Sequence, residues 1–444
     1  MFGDRVYNRS MTRRDFLWLS MASTASPLLT SCSTNPVTGE RQLMLMSKSQ
    51  EIQIDQQQSP HQFSHDYGAI QDSTLNQYLS QIGNNLRTHT HRPKMPYSFR
   101  VVNANYINAY AFPGGSIAVT RGIMVNLNNE AELAGLLGHE LGHINARHTA
   151  ERMSKSTLLN LALAGAGMAV GQINPELGNI TQQLGQISSA ALLAHYSRDD
   201  ERQADALGMA YMVKAHYTPE GMVGLMSLLR SLSKHKASAI DIMFSTHPMS
   251  DERFHTATHL SQTRYGFAQN YFLQRERFMD NTAALRRLKP VITKLEEAER
   301  LLVKKNYNDA TALAQQAVKA APSDYAALMT LGKSLSLQEK HHEALRYFDK
   351  ATNVYPTEAQ AHHLLGITQL ELKKPEKALQ QFNDYERLLA GNPNTYFLQG
   401  ICHENMQNRP LAADRYTAYL KKVRQGQQAE YAYGRLVKWG YIQP

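Results

Sequence analysis

The sequence predicts an α+β fold, mostly helical, in which a domain with a small β-sheet precedes an all-α repeat solenoid. Three observations predict it. Residues 130–148 hold His139, Glu140 and His143 in an HExxH arrangement within an apolar stripe of helical spacing. Between Tyr97 and Val125 the pattern changes to that of strands. Beyond residue 291, Gly332, Gly366 and Gly400 recur every 34 residues.

The first segment is not fold. Arg13-Arg14 followed by Phe16-Leu17 and an apolar run to Leu29 reads as an export signal of the twin-arginine type, too short to span a membrane stably. Leu29-Thr30-Ser31-Cys32 resembles the lipobox of bacterial lipoproteins, which implies lipidation of Cys32; the alternative is an unmodified thiol. Ser33 after it implies the outer membrane by the same resemblance. Residues 33–66 are polar, with turn chemistry at Asn35-Pro36, and read as a linker passing into a first helix.

Thr74–Thr90 has helical apolar spacing at Leu75, Tyr78, Leu79, Ile82 and Leu86. Phe99–Val102 and Ser116–Thr120 read as strands, with Asn108–Gly115 as a turn-rich segment between them. An edge of this sheet either pairs with an extended peptide or is simply capped, and both readings stand. Leu158–Val170, rich in Leu, Ala and Gly, is too short to cross a bilayer and reads as a buried or interfacial helix.

In the HExxH helix, Asn128-Asn129-Glu130 supplies a start signal. A helix turns about 100° per residue, so His139 and His143 share one face and can reach one metal ion. Glu140 lies to the side of that pair, placed to act as a base on a metal-bound water and not as a ligand. His148 lies some 100° off the bearing of His143 on a continued helix and is not assigned to the metal.

A catalytic zinc takes three protein ligands and leaves one position open. Glu201 and Asp205, four apart in Tyr196–Asp205, give a second helical face; Glu201 is the expected third ligand and Asp205 an acceptor for a ligand histidine's other nitrogen. The competing reading is a solvated acidic face paired with Arg198 and Arg202.

Composition bounds the rest. The 444 residues carry 47 Lys and Arg against 38 Asp and Glu, net +9, enough chain for two to three domains at roughly 100–200 residues each. The basic balance permits contact with anionic lipid, but the cations are dispersed and carry no nucleic-acid-binding signature, which argues against nucleic acid. Cys32 and Cys402 are too few and too far apart for a disulfide framework.

In the repeats, Ala310, Ala344, Ala378 and Ala412 keep the same period as the glycines, as do Phe348, Phe382 and Tyr416. This is the tetratricopeptide pattern, read as four helix pairs and a capping helix near Ala429–Trp439 over residues 291–444. Such a solenoid either presents a groove to protein partners or packs on its neighbour as a stabilising appendage. Cys402 is expected to be a small buried residue.

HExxH, the downstream Ser197-Arg198-x-x-Glu201-x-x-Ala204-Asp205 and Asn108-Ala109-Tyr110-Ala111-x-Pro113-Gly114-Gly115 together resemble the gluzincin metallopeptidases that include HtpX and the eukaryotic CAAX prenyl protease. The closer likeness is to the periplasmic beta-barrel assembly-enhancing proteases, which join that domain to tetratricopeptide repeats. The resemblance implies a zinc metallopeptidase domain over 67–285, one zinc per chain, and a function in cutting misfolded or stalled envelope proteins. It also implies that His247, in Ser245-Thr246-His247-Pro248, approaches the zinc at rest, and that Arg253 either meets a substrate carbonyl or braces Glu201. Outer-membrane assembly machinery is an expected partner of the repeats. The competing class is a repeat-based binding module or chaperone with latent proteolysis.

Overall fold

A computed structural model describes residues 32–155, 196–235 and 237–443. The export signal and the Leu158–Val170 helix lie outside them, and the side chain of Cys32 is not described. Among the described residues no helix is long and apolar enough to cross a membrane.

The expected linker is structure. Cys32–Thr34 (β1) pairs antiparallel with Arg41–Leu43 (β2), and Lys48–His65 forms a capped helix (α1). Its polar residues are buried partners, which is why composition misreads it. Glu51, fully buried, holds Arg92 and Arg147, and Asp55 accepts the Ser116 N–H at 2.8 Å.

Ser73–Arg87 (α2) packs its apolar stripe on a three-stranded sheet of Ser98–Val102 (β3), Ala109–Ala111 (β4) and Ser116–Thr120 (β5). The strand order is β3-β5-β4, with β3 parallel and β4 antiparallel to the central β5. Part of the expected turn segment is thus a strand, because the reversal is confined to Phe112–Gly115. There Gly115 takes φ +122°, open to glycine. A short helix, Arg121–Met124 (α3), follows β5.

Glu130–Ala146 (α4) carries HExxH. Asn129 caps it by accepting the Glu132 N–H, and the wholly buried Glu130 in its first turn accepts from Tyr78 and Tyr217 at 2.7 and 2.6 Å. Arg147 ends it in a left-handed conformation, its guanidinium anchored on Glu51 and the Met46 carbonyl. Arg198–Lys214 (α5) and Glu220–His235 (α6) pack on α4, and Ala237–Thr246 (α7) and Asp251–Gln262 (α8) pack on α6. Two helices, Arg275–Arg287 (α9) and Lys289–Val303 (α10), lead into the solenoid.

There α10 pairs with Tyr307–Ala320 (α11), Tyr325–Ser336 (α12) with His341–Val354 (α13), Ala359–Glu371 (α14) with Pro375–Leu388 (α15), and Pro393–Asn405 (α16) with Arg409–Leu420 (α17). Gln427–Lys438 (α18) closes the end. Cys402 is buried and unpaired, its thiol pushed up to about 12 by burial.

The solenoid docks on the sheet domain through its own first helices. Tyr67 donates to Glu299 of α10 at 2.9 Å, Arg121 pairs with Asp324 before α12 at 2.6 Å, and Ser64 donates to Glu358 before α14. The inner helices of the first three units therefore cradle the turn after α1, which is the appendage reading for that stretch.

Candidate metal centre

The site forms where α4 and α5 cross almost backbone to backbone. Gly138 and Gly142 share a face of α4 that borders His139 and His143; Ala204 and Gly208 share a face of α5 with Glu201 and Asp205. A Cβ added at Gly138 would sit 2.8 Å from the Gly208 carbonyl oxygen, and one at Gly142 2.9 Å from Ala204 Cα. No larger residue fits. The approach sets both histidines beside the first turn of α5, where Ser197 and Asp200 form a capping box and the helix's positive end favours the Glu201 carboxylate.

His139, His143, Glu201 and His247 are all buried, and each turns one donor atom into a cluster in which those atoms lie within 4.8 Å of one another. His139 Nε2 lies 3.0 Å from His143 Nε2, 3.3 Å from His247 Nδ1 and 3.6 Å from Glu201 Oε2; His143 Nε2 is 3.3 Å from Glu201 Oε1. A tetrahedron with metal–ligand bonds of about 2.1 Å has edges of about 3.4 Å, so the donors fit zinc.

Glu140 supplies a second sign of fit. Its carboxylate is wholly buried, yet neither oxygen has a hydrogen-bond partner among the described residues, and His247 Nε2 is 3.8 Å away. Burial raises its carboxyl above the usual range against the pull of His247 and His139. A buried acceptor left empty costs about 1–3 kcal/mol, which a water at the cluster would recover. For Glu201 burial opposes ionisation, but His247 and His139 outweigh it and hold the carboxyl well below the ordinary carboxylate range. Burial holds His143 neutral, as a ligand must be.

Around the donors, Asp205 Oδ1 accepts from His139 Nδ1 at 2.9 Å. Arg253 grips both Asp205 oxygens at 2.7 Å, lies 2.6 Å from Glu201 and donates to the Pro248 carbonyl. With its guanidinium so committed and 8% exposed, Arg253 braces Asp205 and Glu201, which favours the bracing alternative over contact with a substrate carbonyl. Sequence reasoning missed Tyr196, whose ring stacks on His143 with centroids 3.8 Å apart, and Gln203, which meets His148. Neither carries a sequence signal beyond adjacency to Glu201.

Residues 73–261 match the model of peptidase family M48. They form a peptidase M48 domain. The M48 segment holds HExxH, Glu201, Asp205, His247 and Arg253, so the whole donor cluster falls inside it. Residues 303–385 match the model of anaphase-promoting complex, cyclosome, subunit 3, over the hairpins from α11 into α15. The beta-barrel assembly-enhancing protease of Yersinia pestis is 25% identical over 384 residues, covering 78% of this chain and 76% of that one. Its Escherichia coli namesake is 25% identical over 187 residues, 41% of this chain and 38% of that protein's length. Metalloprotease YcaL of Escherichia coli is 34% identical over 158 residues, 36% of this chain and 59% of YcaL.

Proposed function

We propose that this chain is a zinc-dependent endopeptidase of the bacterial cell envelope, hydrolysing peptide bonds in misfolded or stalled envelope and outer-membrane proteins. The observation that carries the reading is Glu140, a buried carboxylate with no hydrogen-bond partner among the described residues, beside a set of zinc-type donors within an M48 domain. The names of the relatives support the class of substrate.

In this reading His139, His143 and Glu201 hold the ion. Zinc, when bound, polarises the scissile carbonyl and makes water acidic enough to ionise near neutrality. Glu140 takes the proton from the attacking water and passes it to the leaving amine. Asp205 fixes the His139 tautomer, and Arg253 ties Asp205 to Glu201 so that both stay in register. His247 Nδ1, 3.0 Å from Glu201 Oε1, stands in the place the water needs, so we assign it as the resting occupant that departs when substrate enters.

Strand β4 is the expected seat of an extended peptide. Asn108 and Phe112 bond across to Thr120 and Ser116, so by alternation Ala109 and Ala111 turn their main-chain groups to the outer edge. The export signal, the lipobox at Cys32 and Ser33 support a periplasmic protein anchored by lipid to the outer membrane. In this reading the repeats meet unfolded substrates or assembly machinery.

The Glu140→Gln variant tests the reading. It should keep stoichiometric zinc and lose cleavage of an unfolded protein by about 10²–10⁴-fold; cleavage at the wild-type rate would refute the base. The competing reading, a repeat-based chaperone with latent proteolysis, separates on deletion of residues 291–444: a chaperone loses its action with the repeats, whereas a peptidase still cleaves an unstructured peptide.

A further inference from the structure

The two ligand histidines are held by different chemistry. His139 gives its Nδ1–H to a carboxylate, Asp205, itself gripped by Arg253. Among the described residues no carboxylate meets His143 at that nitrogen. Its Nδ1 lies 2.9 Å from Nδ1 of His148, whose Nε2 lies 2.8 Å from Gln203 Oε1 and 3.6 Å from Asp200 Oδ1.

Each gap in this chain takes one proton, so fixing one end fixes all. A metal on His143 needs the Nε2 lone pair, which leaves the proton on Nδ1 to be donated to His148 Nδ1. His148 then carries its own proton on Nε2, where Gln203 Oε1 accepts it. The amide of a residue on α5 thus sets the tautomer of a ligand on α4 through an intervening imidazole. Tyr196 closes the arrangement, stacked on the His143 ring at 21° with its hydroxyl 2.9 Å from Thr149 Oγ1.

We infer that His148 and Gln203 are positioning residues for the metal site, orienting His143 as Asp205 orients His139. The inference rests on the zinc reading above. It also explains why Arg147 ends α4 in the left-handed region at φ 63°: the reversal brings His148 round to face the ring five residues before it, which a continued helix would not do.

Zinc affinity, by chelator competition on the full chain, and the visible spectrum of the cobalt-substituted protein provide the test without recourse to activity. Removing such a partner should weaken zinc by about 10–100-fold, so His148→Leu is expected to do so and to shift the cobalt bands. His148→Asn, which returns an acceptor oxygen near the Nδ1 position, should stay within about threefold of wild type, and Gln203→Leu should fall between them. Equal affinity in His148→Leu and wild type would overturn the inference; so would His148→Asn as weak as His148→Leu, since lost packing would then explain both. Should His148→Leu fail to fold, the half-exposed Gln203 decides: unchanged zinc and cobalt bands in Gln203→Leu would overturn it. A wild type that takes up no zinc would overturn the metal reading itself and this inference with it.

Discussion

Glycine allows close approach in both halves of this molecule, but against different partners. In the repeats, Gly332, Gly366 and Gly400 lie under the rings of Phe348, Phe382 and Tyr416, and an added Cβ would come within 2.5, 2.7 and 2.5 Å of a ring carbon. At the metal centre, Gly138 and Gly142 face the backbone of Gly208 and Ala204. A ring can swing aside at some cost, whereas a helix backbone moves only by carrying its neighbours with it. Loss of close packing in the repeats should therefore be paid in stability, and at the crossing in ligand geometry.

Gly142→Val should break this contrast most visibly. It forces α4 from α5 and separates His139 and His143 from Glu201, so zinc and cleavage should both be lost, as read by metal analysis and peptide hydrolysis. Wild-type zinc and activity in that variant would abolish the distinction. Phe382→Ala in the third unit should cost about 3–5 kcal/mol in chemical denaturation of the repeats while zinc per chain stays unchanged.

A smaller, pH-dependent effect sharpens the same comparison through histidine. His143 and His148 have partners at the ring nitrogens that meet; His363 on α14 is 2% exposed, and its Nδ1 has no hydrogen-bond partner among the described residues. Burial lowers His363 to about 4. The folded state then binds fewer protons than the unfolded one between about 4 and 6.5, so stability falls as pH drops through that window, by up to about 3 kcal/mol. His363→Leu should flatten that acid limb relative to wild type. An identical acid limb in both proteins would remove His363 from the account.

The repeats were readable because one packing solution recurs, so spacing alone exposes it. The α4 motif was readable because HExxH states its own geometry. What the sequence hid were contacts across elements. The small residues at 138, 142, 204 and 208 are visible, but nothing in one chain says that they face each other. His148 was set aside on helical bearing, and it is no donor of the cluster; its link to His143 depends on α4 ending at Ala146. Polar composition made residues 33–66 look like a linker, because Glu51 and Asp55 find their partners only in the folded chain.

The central claim is that α5 completes the site begun by α4, with Glu201 as the third ligand. Metal analysis of purified wild type beside Glu201→Ala tests it most directly. One zinc per chain in wild type and a substoichiometric amount in Glu201→Ala, under the same dialysis, is the predicted result; equal, stoichiometric zinc in both would contradict it.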